Sequence, residues 1–175
     1  MVPWTWLRGF RKEAAVAGIR LRRFFTLPRR EQLLLVLALL ALAGVRVALR
    51  RLPLDRVQGG LAALAGRFGR FLPQPPPPPT RIAEAIRLAA RYLPGSTCLP
   101  QALAAHFLLS LYGHAARFHI GVARREDGRF EAHAWVADDS GVLVGDLPDL
   151  GRYVLLSSVD REGYVGIRGA FQAER

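Results

Sequence analysis

Residues 94–111 read PGSTCLPQALAAHFLLSL, and they predict a helix that starts at the single cysteine of the chain. A proline–glycine pair ends the segment before it, and Ser96 or Thr97 is suited to open the helix. Pro100 falls in the first turn, where a proline removes no intrahelical hydrogen bond. The predicted apolar face carries Leu103, Phe107 and Leu111.

After this helix the spacing of apolar residues changes to a period of two, which is typical of strands. Phe118, Ile120 and Val122 alternate with other residues, and residues 130–137 and 142–147 continue the pattern. Residues 153–156 and 164–168 are shorter strand candidates. A helix over residues 81–92, capped by Thr80, precedes the cysteine helix. The second half therefore predicts an α+β fold, with helices packed on an antiparallel sheet.

The first half of the 175-residue chain has a different composition. Residues 1–80 hold 14 Lys and Arg against 3 Asp and Glu, whereas residues 81–175 hold 11 of each, so the net charge of +11 lies entirely in the first half. A nucleic-acid-binding enzyme more often spreads positive charge around its working site. We therefore expect the charge to serve a partner- or surface-binding region, with no nucleic acid as partner.

Residues 73–79 read PQPPPPP and predict a stiff polyproline II spacer. A ligand for a proline-recognition module is the alternative interpretation. The spacer suggests three parts: a basic helical region over residues 1–72, the linker over 73–79, and a catalytic domain over 80–175. The basic region predicts helices over residues 4–25, 28–52 and 54–72.

The longest apolar run, residues 33–45, is 13 residues long. A helix that spans a bilayer needs roughly 20 apolar residues. The run therefore predicts a buried helix in a small bundle, and an interfacial or re-entrant helix stays open as the alternative. No signal-peptide pattern precedes it, so we expect a cytoplasmic protein whose basic helices leave a peripheral membrane contact open.

Cys98 is the first candidate for chemistry. The N–H groups at the start of a helix lack internal partners and carry partial positive charge, which stabilises a thiolate and suits an oxyanion. A lone cysteine in a hydrophobic chain is, however, often an inert core residue. With one cysteine, neither a disulfide framework nor a cysteine-based metal knuckle can form within the chain.

His133 and Asp146 are the next candidates. Alternation places His133 with Glu131 and Trp135 on the face opposite the expected core. In a hairpin closed symmetrically between Asp139 and Ser140, His133 and Asp146 would stand directly opposite each other, close enough for the carboxylate to orient the imidazole. A different turn would move Asp146 away, and Asp149 is then the nearby substitute.

The remaining histidines are His106, His114 and His119. None forms a close pair with ligand spacing beside a second strong ligand, so no metal site is expected. No glycine-rich phosphate loop matches a nucleotide motif, so no cofactor is expected either.

Four stretches together resemble a known family: residues 93–103 (LPGSTCLPQAL), 120–122 (IGV), 132–136 (AHAWV) and 145–146 (GD). They resemble the B2 protein of lasso peptide biosynthesis, the leader peptidase of split B proteins within the transglutaminase-like, papain-related cysteine proteases. The resemblance is close over residues 80–150 and looser over residues 28–53.

The resemblance implies a peptidase that cuts the leader from a ribosomally made precursor peptide. It places the nucleophile on Cys98, the catalytic histidine on His133 and the acid on Asp146. The implied partners are the precursor leader, a small B1-type leader-recognition protein and a separate lasso cyclase that closes the macrolactam ring. No cofactor or metal is implied.

Two other functions stay open at this point. An acyl transferase or amidase would use the same thioester with a different acceptor. A non-catalytic scaffold would use its basic helices to bind a membrane or a partner and would keep Cys98 buried and inert.

Overall fold

The helix that begins at Cys98 lies between the other helices and the sheet. The computed structural model describes residues 25–160 and 163–165. In this part of the chain the helices are α1 (Arg29–Arg51), α2 (Leu54–Phe68), α3 (Pro79–Tyr92) and α4 (Cys98–Leu111), with 3₁₀ turns at Gly69–Phe71 and Leu150–Arg152. The strands are β1 (Arg117–Arg124), β2 (Phe130–Asp138), β3 (Gly141–Val144), β4 (Val154–Asp160) and β5 (Gly163–Val165).

Helix α4 is apolar around most of its circumference. It packs against α1, α2 and α3 on one side and against β1, β2 and β3 on the other. Its fully buried side chains include Ala102, Leu103, Ala105, Leu108 and Leu109. A helix that is hydrophobic all round must be covered on every side, so α4 is the element around which the others assemble.

The predicted helices over residues 28–52, 54–72 and 81–92 are present with small shifts at their ends, and so is the helix expected between Ser96 or Thr97 and Gly113. The predicted helix over residues 4–25 falls almost wholly outside the described residues. The expected cap at Thr80 is wrong, because α3 begins at Pro79, two residues earlier than predicted, and Pro78 occupies the capping position. A proline suits the first helical position, since its missing N–H would have no intrahelical partner there.

Helix α1 buries one stripe of side chains, formed by Leu34, Ala38, Leu42 and Val45. This stripe packs against α3 and α4. At its N-terminal end the Arg81 guanidinium of α3 donates to Glu31 at 2.6 Å. Among the described helices α1 is also long and apolar enough, by length and composition, to cross a membrane.

The buried cluster takes residues from both sides of the polyproline segment. Leu42 of α1 and Val57 of α2 join Ile86 of α3 and Leu108 of α4 in one continuous core. The division at residues 73–79 stays a prediction, but helices before and after it share the same apolar interior.

The strands form one antiparallel sheet in the order β3-β2-β1-β4-β5 within the described residues, which confirms the predicted α+β fold. Phe118, Ala134 and Val136 belong to the core, on the face that meets α4. The alternating residues of β1 and β2, among them His119, His133 and Trp135, lie on the other face.

Strand β3 is shorter than predicted. The expected strand over residues 142–147 ends at Val144, because Gly145 turns the chain with a φ of +85°. This left-handed conformation is open to glycine and strained for other residues.

The buried stripe of α1 generates a test of this packing. We expect Leu42→Ala to lower the free energy of unfolding by about 2–5 kcal/mol, because Leu42 is fully buried and its removal leaves a cavity. The control is Leu40→Ala on the same helix, 64% exposed, with an expected loss below about 1 kcal/mol. Urea denaturation measures both, and equal losses would contradict the packing described for α1.

Candidate functional site

Cys98 is the first residue of α4 and is partly exposed. The turn before it is held by two side chains. The Ser96 hydroxyl donates to the Leu93 carbonyl at 2.7 Å, and the Gln101 amide donates to the Ser96 carbonyl at 2.7 Å. These bonds fix the loop that leads into the helix and so fix the position of the sulfur.

The first turn of α4 leaves two backbone donors next to the sulfur. Thr97 is the N-cap residue, but its side chain makes no capping hydrogen bond. Pro100 has no N–H, and the Gln101 N–H already bonds the Thr97 carbonyl at 3.4 Å. The N–H groups of Cys98 and Leu99 therefore have no carbonyl partner within the helix, and the helix start favours negative charge there.

His133 lies in β2 and is half-buried. Its Nε2 is 2.7 Å from the carbonyl oxygen of Gly145. A carbonyl only accepts hydrogen bonds, so Nε2 must carry the proton. In the neutral ring Nδ1 is then the free acceptor, and no described residue bonds it. The imidazole is thus oriented in the tautomer that a general base needs.

The predicted pairing of His133 with Asp146 across the hairpin is wrong. Asp138 faces Gly141 and Ala137 faces Val142, as the symmetric turn requires, but the next pair is Val136 with Val144. A bulge thus adds one residue to β3 and shifts the register by one. The Asp146 side chain is exposed and forms no hydrogen bond or ion pair within the described residues.

The backbone at Gly145 passes very close to the backbone of β2. A Cβ atom on Gly145 would lie 2.7 Å from the Ala134 carbonyl oxygen and 2.9 Å from the Trp135 Cβ. Only a residue without a side chain can bring its carbonyl to His133 at this point. The carbonyl of Gly145 therefore holds the imidazole in the place where the sequence predicted a carboxylate.

An aromatic cluster surrounds the histidine on the outer face of the sheet. The rings of His133 and Trp135 stack at 6.1 Å and 14°, and Tyr153 lies 5.6 Å from His133. Trp135 covers Gly121 so closely that a Cβ there would meet its ring at 2.9 Å. The imidazole therefore lies between its hydrogen bond to Gly145 and the rings of Trp135 and Tyr153.

Glu131 is a site residue that the sequence interpretation did not assign. It shares the face of His133, accepts a hydrogen bond from the Tyr153 hydroxyl at 2.8 Å, and pairs with Arg152. Burial and the bond to Glu131 raise the pKa of Tyr153. Alternation placed Glu131 beside His133, but only the pairing of β1 with β4 brings Tyr153 there.

Asp149, the substitute considered for Asp146, is engaged elsewhere. Its carboxylate lies 2.6 Å from the Arg152 guanidinium. Asp149 thus supports the arginine that holds Glu131, and it reaches the histidine only through that chain of contacts.

The structure does not join the sulfur to the imidazole. No hydrogen bond links Cys98 Sγ to His133 or to any other described residue. Cys98, His133 and Asp146 as a catalytic set therefore stay a prediction. Among the described residues, the edge of β2 beside His133 pairs with no strand beyond the end of β3.

The other histidines occupy separate places. His114 Nε2 bonds the Pro77 carbonyl at 2.8 Å, and the His106 ring lies 6.1 Å from Phe118. His119 packs 5.4 Å from Trp135, and burial together with the charge of Arg117 lowers its pKa. The described residues contain no cluster of three His, Cys, Asp or Glu that could hold a metal ion.

Comparison with known proteins gives one match. The sequence model of a family described as the Transglutaminase-like superfamily matches residues 32–158, which is more than half of the chain. Neither the curated proteins nor the solved structures gave a significant match.

The close crossing of Gly145 generates a prediction. Gly145→Ala should destabilise the fold by more than the about 1–2 kcal/mol that a left-handed alanine costs, because its methyl group also meets the β2 backbone. Gly113→Ala is the matched control, since Gly113 has the same φ of +85° and open space around it. Thermal or urea unfolding measures both, and equal losses would show that the crossing is not tight.

The environment of His119 predicts a pH dependence. Its folded-state pKa is lowered below 6.5, so the unfolded chain binds the proton more readily. The stabilisation is present above pH 6.5 and is lost as the pH falls towards the folded-state pKa. We expect the free energy of unfolding to fall less steeply below pH 6.5 in His119→Gln than in the wild-type chain. Identical slopes would contradict the assignment.

Proposed function

The chain belongs to the transglutaminase-like superfamily, and from that membership we propose that it is a cysteine peptidase that removes the leader from a lasso precursor peptide. Members of this superfamily are typically cysteine-protease-like enzymes. The family supports the broad chemistry, and the resemblance of residues 93–103 and 132–136 to B2 proteins supports the specific substrate.

The observation that carries the proposal is the tautomer of His133. Because Nε2 donates to the Gly145 carbonyl, Nδ1 is the basic nitrogen and can take a proton from a thiol. The same carbonyl stabilises the imidazolium that forms once the proton has been taken up.

The start of α4 supplies the complementary half of the chemistry. Cys98 attacks the carbonyl at the leader–core junction and forms a tetrahedral intermediate. The Cys98 and Leu99 N–H groups, which have no partner in the helix, can bind the developing oxyanion. His133 gives its proton to the leaving amine, which becomes the N-terminus of the core peptide, and water then releases the leader from the thioester.

From the resemblance we propose Asp146 as the acidic residue of the catalytic set with Cys98 and His133. Asp146 directly follows Gly145 in the chain, so its backbone adjoins the carbonyl that bonds His133. In this arrangement the carbonyl orients the ring and the carboxylate acts at longer range on the charge of the imidazolium. The expected partners remain the leader, a B1-type recognition protein and a lasso cyclase, in the cytoplasm.

A transglutaminase-like acyl transferase or amidase is the second candidate, and membership in the superfamily favours it equally at the level of chemistry. The mass of the product separates the two functions. Hydrolysis adds water to the acyl fragment, whereas transfer adds an amine.

Substitution of the two reacting groups tests the proposal. We expect Cys98→Ala and His133→Ala each to lower the rate of cleavage of a lasso precursor, supplied with its leader-recognition protein, by at least about 10³-fold. Mass spectrometry of the cleaved leader measures the rate. Circular dichroism checks that each variant is folded.

Two controls match these variants. Ser110→Ala lies at the other end of α4, and His114→Ala removes another histidine bonded to a carbonyl. Both should cleave at close to the wild-type rate. Full cleavage by folded Cys98→Ala would end the proposal.

Asp146→Asn is expected to lose less than the about 10⁴-fold seen where a carboxylate is the sole orienter of the histidine, because the Gly145 carbonyl remains. The same kinetic assay compares it with Asp149→Asn. A loss as large as that of Cys98→Ala would show that the carboxylate, and not the carbonyl, sets the tautomer.

A further inference from the structure

Helix α1 has a second apolar stripe, on the side that faces away from the core. Leu33, Val36, Leu40 and Val47 are 39%, 40%, 64% and 56% exposed. At 1.5 Å per residue this stripe runs for about 21 Å along the helix. Residues of this size are seldom left exposed together along a whole helix unless something covers them.

Leu40 of this stripe lines one cleft together with Leu64 and Phe68 of the neighbouring helix α2. Leu64 and Phe68 of α2 are about half exposed, and Phe71 in the following 3₁₀ turn is 68% exposed. We call the seven side chains together the apolar surface: Leu33, Val36, Leu40, Val47, Leu64, Phe68 and Phe71.

An apolar cleft of about 500 Å³ opens between α1 and α2, with Phe107, Leu108 and Leu111 of α4 among its lining residues. Gly44 and Gly60 line its two walls, and a Cβ at either position would meet no atom within 4 Å. Glycine weakens a helix interior relative to alanine, and nothing in the packing of these two positions requires it. The glycines therefore widen the cleft, so that the apolar surface is accessible from outside.

The charges around this surface are nearly all positive. Residues 29–72 carry eight arginines and two acids. One of the acids, Glu31, is already paired with Arg81. Arg67 and Arg70 lie over the rings of Phe68 and Phe71, at 5.9 and 4.8 Å, so cations and exposed aromatic rings alternate. Such a pattern of arginines beside inserted aromatic and aliphatic side chains is typical of helices that lie in an anionic interface.

The same charges decide between occupants. A second copy of this chain would bring another strongly basic surface against the first. Residues 1–24 hold six Lys and Arg and one Glu, so their composition does not supply anionic charge either. An occupant that is both apolar and anionic fits both properties of the surface.

We propose that the apolar surface docks this protein flat onto a bilayer that contains anionic lipid. The buried stripe of α1 and its ion pair to α3 keep the helix attached to the domain along its length. Helix α1 therefore lies in the plane of the interface. Crossing the bilayer would require unpacking Leu34, Ala38, Leu42 and Val45 from the core. The inference does not depend on the peptidase proposal, because the sulfur takes no part in it.

Vesicle co-sedimentation of the full chain tests the proposal. We expect binding to vesicles of phosphatidylcholine with 30% phosphatidylglycerol and little binding to phosphatidylcholine alone, with a decrease at high salt. Leu40→Glu and Phe71→Glu should each weaken binding by at least about tenfold, since each places a charge where an apolar side chain would enter the lipid. The folded Cys98→Ala chain should bind as the wild type does.

Phe130→Glu is the matched control. Phe130 is 77% exposed and lies on the sheet, away from the apolar surface. Its substitution changes the net charge by the same amount as Phe71→Glu. Binding retained by Phe130→Glu and lost by Phe71→Glu supports the proposal. Equal loss in both would show a general charge effect and would overturn it. Failure of the wild-type chain to sediment with anionic vesicles would also overturn it and would leave an acidic partner protein as the occupant.

Discussion

The structure depends on the burial of most of α4 between the other helices and the sheet. A helix that is apolar around its circumference has no stable position at a protein surface, so three helices must cover one side of it and a sheet the other. This constraint explains why helices on both sides of the polyproline segment share one core. It also fixes Cys98, because the first residue of a helix that cannot rotate or slide has a defined place relative to β2. The reaction proposed for the Cys98 sulfur therefore depends on the packing of this helix.

The second constraint is the passage of Gly145 over β2. The bulge in β3 and the left-handed glycine together turn the chain so that a backbone carbonyl, and not a side chain, meets His133. A carbonyl and a carboxylate can both accept a hydrogen bond from Nε2–H, but the carbonyl carries no full negative charge. The carboxylate of Glu131, on the same sheet face, is bonded to Tyr153 and Arg152 and not to the histidine. The histidine is therefore oriented by packing and by one neutral acceptor.

Helix α1 joins two surfaces with different roles. Its buried stripe belongs to the core that positions α4, and its exposed stripe forms most of the apolar surface proposed to contact lipid. The two stripes lie on opposite sides of one helix, so contact with a bilayer would leave the sheet face with His133, Trp135 and Tyr153 free to receive a peptide. A protein arranged in this way could act on its substrate while it is held at a surface.

The sequence by itself determined the four described α-helices, the antiparallel sheet, the helix-start cysteine and the face of β2 that carries His133. Each of these follows from local spacing, from prolines and from glycines, all of which act within a few residues. The partner of His133 was decided by the tertiary structure. The symmetric register held for the two pairs nearest the turn, at Asp138 and Ala137, and failed where the bulge moved Asp146 away. Leu143 and Val144 are consecutive and both lie in the common core, which the alternation of residues along one strand does not predict. The contacts of Glu131 with Tyr153 and Arg152 likewise depend on the pairing of β4 with β1. This pairing joins residues that are far apart in the sequence, so it is set by the free energy of the whole fold.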